Sequence, residues 1–207
     1  MIPYSKHKLF KSDISDVNKV LKSDFLTSGP VVPLFEKDLG KRFNSKYVTC
    51  VNSATSALHL SCMAIGLKEG DYLWTSAISF VASANCAIYC GAKVDFVDID
   101  IDTFNISLEC LKEKLKSAKK LNKLPKALVV VHMGGNPCKM KEIKKLSNLY
   151  NFKIIEDASH ASGSYYKNQI IGNCKYSDVS VFSFHPVKII TTGEGGMALT
   201  NNKKIAE

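Results

Sequence analysis

The sequence predicts an α/β fold: a mostly parallel sheet covered by helices on both faces. Two observations carry that prediction. The strand candidates are short, continuous apolar runs, the pattern of strands buried on both sides. From residue 47 to residue 155 they alternate with stretches of helical length and spacing. No internal repeat, linker or low-complexity segment divides the 207 residues.

The elements follow in order. Residues 12–22 carry Ile14, Val17, Val20 and Leu21 at helical spacing. Thr27-Ser28-Gly29-Pro30 is a turn by composition. Residues 33–43 read as a second amphipathic helix, with Pro33 in its first turn, where no intrahelical N–H is needed. Tyr47 to Val51 is a strand and Ala54 to Ile65 a nearly all-apolar helix. Gly66 and Gly70 bound a loop, Tyr72 to Thr75 is a strand, and Phe80 to Tyr89 is a helix ended by Gly91. Then come the strand Lys93 to Val97, the helix Leu108 to Lys119 and the strand Ala127 to Val131. The helix Met140 to Tyr150 and the strands Lys153 to Ile155 and Val179 to Phe184 complete the pattern, and a last helix begins near the end of the sequence.

Composition narrows the function. With 45% hydrophobic and 23% charged residues the chain is an ordinary soluble globular protein. No apolar run reaches the about 20 residues that span a bilayer, and residues 1–7 lack a signal-peptide core. Seven cysteines are scattered without a C-x-x-C pair, which points to a reducing cytoplasm and away from a zinc site. The net charge of +9 raises nucleic acid as a partner, but Arg42 is the only arginine, and bidentate reading of bases and phosphates favours arginine. The dense run from Lys112 to Lys126 reads as a solvated helix face and loop.

In parallel sheets ligands bind at the carboxyl ends of the strands. After 47–51 comes Asn52-Ser53-Ala54-Thr55-Ser56-Ala57-Leu58, small polar residues that open a helix. Such a start is either a plain cap by Asn52 or Ser53 or a phosphate site made by free N–H groups. Neither a Walker loop nor a G-x-G-x-x-G stands after any strand. Phe80 follows 72–75 and is either core or a plate for a planar ring. After 153–155 come Asp157 and His160: a turn residue and a structural imidazole, or a partner for a cationic ring nitrogen and for a ring hydroxyl.

The last strand leads into Ser183-Phe184-His185-Pro186-Val187-Lys188 and then a glycine-rich turn, Gly193-Glu194-Gly195-Gly196. Pro186 has no N–H for a ladder and ends the strand. Lys188 sits between Val187 and Ile189-Ile190, and apolar surroundings lower a lysine's pKa and free its amine as a nucleophile. A phosphate cradle, an aromatic plate, a carboxylate, the Ser183 hydroxyl and this amine are together the groups that pyridoxal 5′-phosphate requires.

In this order and spacing the motifs resemble the DegT/DnrJ/StrS family of sugar-nucleotide aminotransferases. The likeness runs from Ile2-Pro3-Tyr4 through Ser79-Phe80-Val81-Ala82 and Glu156-Asp157-Ala158-Ser159-His160 to Thr191-Thr192-Gly193-Glu194-Gly195-Gly196. The resemblance implies the large domain of the type I aminotransferase fold across residues 1–207, behind an N-terminal segment. It implies too that the family's smaller C-terminal domain is absent from this chain. Lys188 would bond to the cofactor and Asp157 would pair with its pyridine nitrogen. Ala54, Thr55 and Ser183 would hold the phosphate, Phe80 would stack on the ring, and His160 would lie near the ring hydroxyl. Tyr4 and Asp24, Phe25, Leu26 and Thr27 match positions that touch the sugar nucleotide. The Ser-Phe-His-Pro-Val-Lys form is similar to that of PseC-type members. These move an amino group, by analogy from L-glutamate, to the 4-keto carbon of a UDP-linked 6-deoxy-N-acetylhexosamine on the route to pseudaminic acid. The resemblance also implies a homodimer. Three alternatives stand beside this reading: an aminotransferase for another 4-keto sugar nucleotide, a family dehydratase, and a large-domain fragment that folds without turnover. Lys188 argues against the dehydratase, in which histidine typically replaces it.

Overall fold

The computed structural model describes Ile2 and residues 5–207. In chain order the helices are α1 (Lys11–Leu21), α2 (Val31–Phe43), α3 (Ala54–Ala64), α4 (Ala82–Ile88), α5 (Leu108–Lys120), α6 (Met140–Tyr150) and α7 (Lys203–Ala206). The strands are β1 (Tyr47–Val51), β2 (Tyr72–Ser76), β3 (Lys93–Val97), β4 (Ala127–Val131), β5 (Lys153–Asp157), β6 (Tyr165–Tyr166), β7 (Gln169–Ile170), β8 (Val179–Ser183) and β9 (Gly196–Thr200). Seven of them form one sheet in the order β1-β9-β8-β5-β4-β2-β3, and β6 and β7 make a separate hairpin. Strands β3, β2, β4, β5 and β8 run parallel, while β9 is antiparallel to both of its neighbours. The mostly parallel α/β sheet expected from the sequence is present.

The pleat divides the core into two layers. Leu73, Val129, Val131, Ile155 and Val181 face α3 and α4. Their chain neighbours Trp74, Leu128, Val130 and Ile154 face α5 and α6, where Leu111 and Leu115 are fully buried. Each such leucine contributes about 1.5–3 kcal/mol of transfer free energy. Near β8 and β9 the second layer is continued by α2, with Leu39 and Phe43 against Phe182. Helix ends are set by side chains: Ser107 accepts from Cys110 N at the start of α5, and Asn151 takes the left-handed conformation, φ 57°, after α6.

Some boundaries differ from the sequence reading. Strand β5 runs on through Asp157, so Asp157 is its last residue, not a residue beyond it. Helix α4 begins at Ala82, which leaves Phe80 in the preceding loop. Strand β8 stops at Ser183, before Pro186 is reached. Helix α2 starts at Val31 and keeps Pro33 in its first turn. Among the described residues no helix is long and apolar enough to cross a membrane.

Candidate active site

At the carboxyl ends of β4, β5 and β8 lies a cavity of about 350 Å³. Ala54, Thr55, Phe80, Asp157, His160, Ser183 and Lys188 all line it. Residues far apart in sequence reach one space because strands that run parallel carry their ends to the same edge of the sheet.

Asp157 shares its face of β5 with Ile155, the face packed against α3 and α4. The residue is 5% exposed. Ser83 Oγ on α4 donates to Oδ2 at 2.7 Å. Ser159 donates to Oδ1 twice, from Oγ at 2.6 Å and from its backbone N–H at 3.2 Å. All three contacts are donors to the carboxylate oxygens.

The start of α3 satisfies both readings of its small polar residues. Ser53 Oγ accepts from Ser56 N at 3.2 Å, and Ser53 O accepts from Ala57 N at 3.1 Å. Ser53 is therefore the cap. The Ala54 and Thr55 N–H groups are left without a backbone or side-chain acceptor among the described residues, and both residues border the cavity. The first residue of β9 passes directly against this turn. A Cβ on Gly196 would overlap Ala54 N and the Ser53 carbonyl carbon. Only glycine lets the strand lie this close. Ser183, at the end of β8, accepts weakly from His185 N at 3.4 Å, and its own O–H remains free to donate.

Lys188 Nζ donates to His160 Nε2 at 3.0 Å. Burial pushes the Lys188 amine below the ordinary lysine value, against an opposing pull from Asp157. The sequence assigned this effect to Val187, Ile189 and Ile190. Ile189 and Ile190 are exposed and Val187 is part of the cavity wall, so the loss of water comes from that wall and not from the two isoleucines. His160 is also lowered, by burial first and by the Lys188 charge second, with Asp157 opposing. A neutral imidazole whose Nε2 accepts from the amine follows from both terms.

Phe80 is 68% exposed at the cavity rim, so it is not a core residue. Asp24, Phe25, Leu26 and Thr27 occupy an exposed loop between α1 and α2 and do not border the cavity. Tyr4 lies outside the described residues. Sequence reasoning missed Ser83, Ser159, Met133 and Gly196. Ser159 had a signal, since it stands two residues after a strand-end aspartate. Ser83 had none, being one small residue inside a helix.

A carboxylate held without a basic partner, free N–H groups at a helix start and an amine whose pKa burial lowers are parts of a site for an anionic, cationic-ringed carbonyl ligand. Comparison with known proteins gives such a ligand. The profile of the DegT/DnrJ/EryC1/StrS aminotransferase family matches residues 8–207. The UDP-4-amino-4,6-dideoxy-N-acetyl-beta-L-altrosamine transaminase of Campylobacter jejuni subsp. jejuni serotype O:23/36 is 45% identical over 206 residues, which are 99% of this chain and 53% of that protein. Helicobacter pylori PseC, an aminotransferase involved in the biosynthesis of pseudoaminic acid, superposes with a TM-score of 0.90 at 35% identity, over 99% of this chain and 53% of that one. Spr1654 of Streptococcus pneumoniae in its PLP form gives a TM-score of 0.86 at 28% identity, over 99% and 54%. The chain spans about half the length of the curated relatives it matches. It belongs to the DegT/DnrJ/EryC1/StrS aminotransferase family.

Proposed function

We propose, with that family membership as the premise, that this chain is the cofactor-holding large domain of a pyridoxal-phosphate-dependent sugar-nucleotide aminotransferase. Its reaction moves an amino group, with L-glutamate as donor, to the 4-keto carbon of a UDP-linked 6-deoxy-N-acetylhexosamine. The supporting observation is the meeting of Lys188, Asp157, Ser183 and the α3 start on one cavity. Two similar proteins support the sugar: one is an altrosamine transaminase and one acts in pseudoaminic acid biosynthesis.

When bound, pyridoxal phosphate supplies a carbonyl that takes up an amine and a ring that withdraws charge from the adjoining carbon. The chain supplies the rest. The Ala54 and Thr55 N–H groups and the Ser183 hydroxyl hold the phosphate, where a helix start favours negative charge. Phe80 covers one face of the ring and His160 meets its hydroxyl. Asp157 keeps the ring nitrogen protonated through a charge-assisted hydrogen bond. Lys188 Nζ is the attachment point, and when released it moves a proton to and from the reacting carbon as general base and acid. Tyr4 and Asp24, Phe25, Leu26 and Thr27 contact the sugar nucleotide, and the working enzyme is a cytoplasmic homodimer.

Borohydride reduction with pyridoxal phosphate, followed by peptide mapping, is expected to place the pyridoxyl group on Lys188. A label spread over many lysines overturns that role. Amino transfer from L-glutamate, assayed across UDP-, GDP- and dTDP-linked 4-keto-6-deoxy sugars, is expected to favour the UDP-linked N-acetyl substrate. A stronger response to another nucleotide sugar overturns the substrate assignment.

A further inference from the structure

We propose that Ser83 is a positioning residue that fixes which oxygen of Asp157 meets the ring nitrogen; the inference rests on the pyridoxal phosphate reading of the cavity. An ionised carboxylate has about four lone-pair sites, two on each oxygen. On Asp157, Oδ1 accepts from both Ser159 Oγ and Ser159 N, at 2.6 and 3.2 Å. Oδ2 accepts only from Ser83 Oγ, at 2.7 Å. Three sites are filled, and the open one lies on Oδ2. The ring N–H is therefore received by Oδ2, the oxygen that Ser83 holds.

The two serines act from different directions. Ser159 stands two residues along the chain and holds Oδ1 locally. Ser83 stands on α4, 74 positions away, and is fully buried between the helix and the sheet. With Ser159 alone the carboxylate can turn about its Cβ–Cγ bond, because only one oxygen is tied. With both, its plane is fixed across the gap between α4 and β5. The geometry exists before any ligand arrives, so binding does not have to order this group. Ser83 also donates no proton that a ring nitrogen could take in its place, since its hydroxyl hydrogen points to Oδ2. Its action is on direction alone.

The test compares two ligands in one protein: pyridoxal 5′-phosphate and its 1-deaza analogue, which has a carbon where the ring nitrogen stands. Dissociation constants are measured by absorbance titration for the wild type, Ser83→Ala and Ser83→Thr. The wild type is expected to prefer the natural ring, and Ser83→Ala to reduce that preference about tenfold, the scale of one charge-assisted hydrogen bond. Ser83→Thr, which keeps the hydroxyl, is expected to preserve it. Each preference is a ratio within one variant, so a general loosening of the fold cancels. An unchanged ratio in Ser83→Ala, or an equal loss for both ligands, overturns the positioning role. No preference in the wild type overturns the ring partnership of Asp157 itself, and the inference with it.

Discussion

Glu156 and Asp157 stand side by side on β5, 3% and 5% exposed, and the pleat sends them to opposite faces of the sheet. Glu156 turns toward the α5 and α6 layer and accepts from His132 Nε2 at 2.8 Å. His132 is fully buried, and its Nδ1 accepts from Cys138 N at 3.2 Å, which assigns the hydrogen to Nε2. That carboxylate has its own partner and faces no cavity. Asp157 turns toward α3 and α4, where its partners are two hydroxyls and one amide. It is equally dry but keeps a lone pair for something that arrives from outside. Burial alone does not separate the structural carboxylate from the functional one; the identity of the neighbours does.

The largest effect on folding tests the closed half of this pair. Glu156→Ala leaves the His132 N–H buried with nothing to meet. Removing the charged acceptor of a buried N–H donor costs about 1.5–3 kcal/mol. Urea unfolding is expected to show that loss while the cavity residues keep their contacts. A loss below about 1 kcal/mol makes the Glu156–His132 contact incidental and dissolves the contrast.

Asp157→Asn tests the open half. The amide can still accept from Ser159 and donate to Ser83, so folding stability is expected to move by no more than about 1 kcal/mol. Binding loses its charge-assisted partner, and the pyridoxal phosphate dissociation constant is expected to rise about a hundredfold, ~3 kcal/mol. Near-wild-type affinity removes Asp157 from the ring.

Gly196→Ala sharpens the contrast from the phosphate end. A methyl group there strikes the Ser53–Ala54 peptide, which is backbone and cannot rotate away. Forcing it in is expected to cost about 1–3 kcal/mol of stability. It also pushes the free N–H groups of α3 out of line, so phosphate affinity falls together with stability. A variant that is stable and binds normally shows that the close approach of β9 and α3 is not part of the cradle.

How much of this was legible depends on how the signal is carried. Strands β1, β3 and β4 and helix α6 match the sequence reading to the residue: β4 is a continuous apolar run, β1 is nearly one, β3 alternates charged and apolar residues, and α6 carries a helical stripe. Strand β9 was not seen. It opens on Gly196 at the end of a glycine-rich turn, and its strand character comes from pairing with β1 and β8, not from its own residues. The β6–β7 hairpin has only two residues on each side, too few for any period. In the site, Lys188, Asp157 and the α3 start were legible because reactive residue types stood at strand ends. Ser83 and Gly196 were not, since their roles are contacts with distant chain. For Lys188 the direction was legible but only one of its three neighbours was right: Val187 lines the cavity, while Ile189 and Ile190 lie out toward solvent.

The smallest effect concerns that amine. A lysine whose pKa is lowered on folding binds fewer protons in the native state than in the unfolded chain. The native state is therefore penalised while the amine is charged, and stability rises with pH through the lowered value up to the ordinary 10.5. Lys188→Met removes the titration, so the wild type should gain on this variant as pH rises toward 10.5. His160 and Asp157 face the amine, and both must hold one charge state across that window. His160 is lowered from 6.5, which keeps it neutral there. Asp157, which pulls the amine's value back up, is present in both proteins. Lys188 is only half-buried, so the change is expected to be a fraction of the full proton linkage. Parallel stability curves for the two proteins up to pH 10.5 would show that the cavity leaves the amine an ordinary lysine. Its reactivity would then have to come from the ligand, and Lys188 would join Glu156 on the structural side of the comparison.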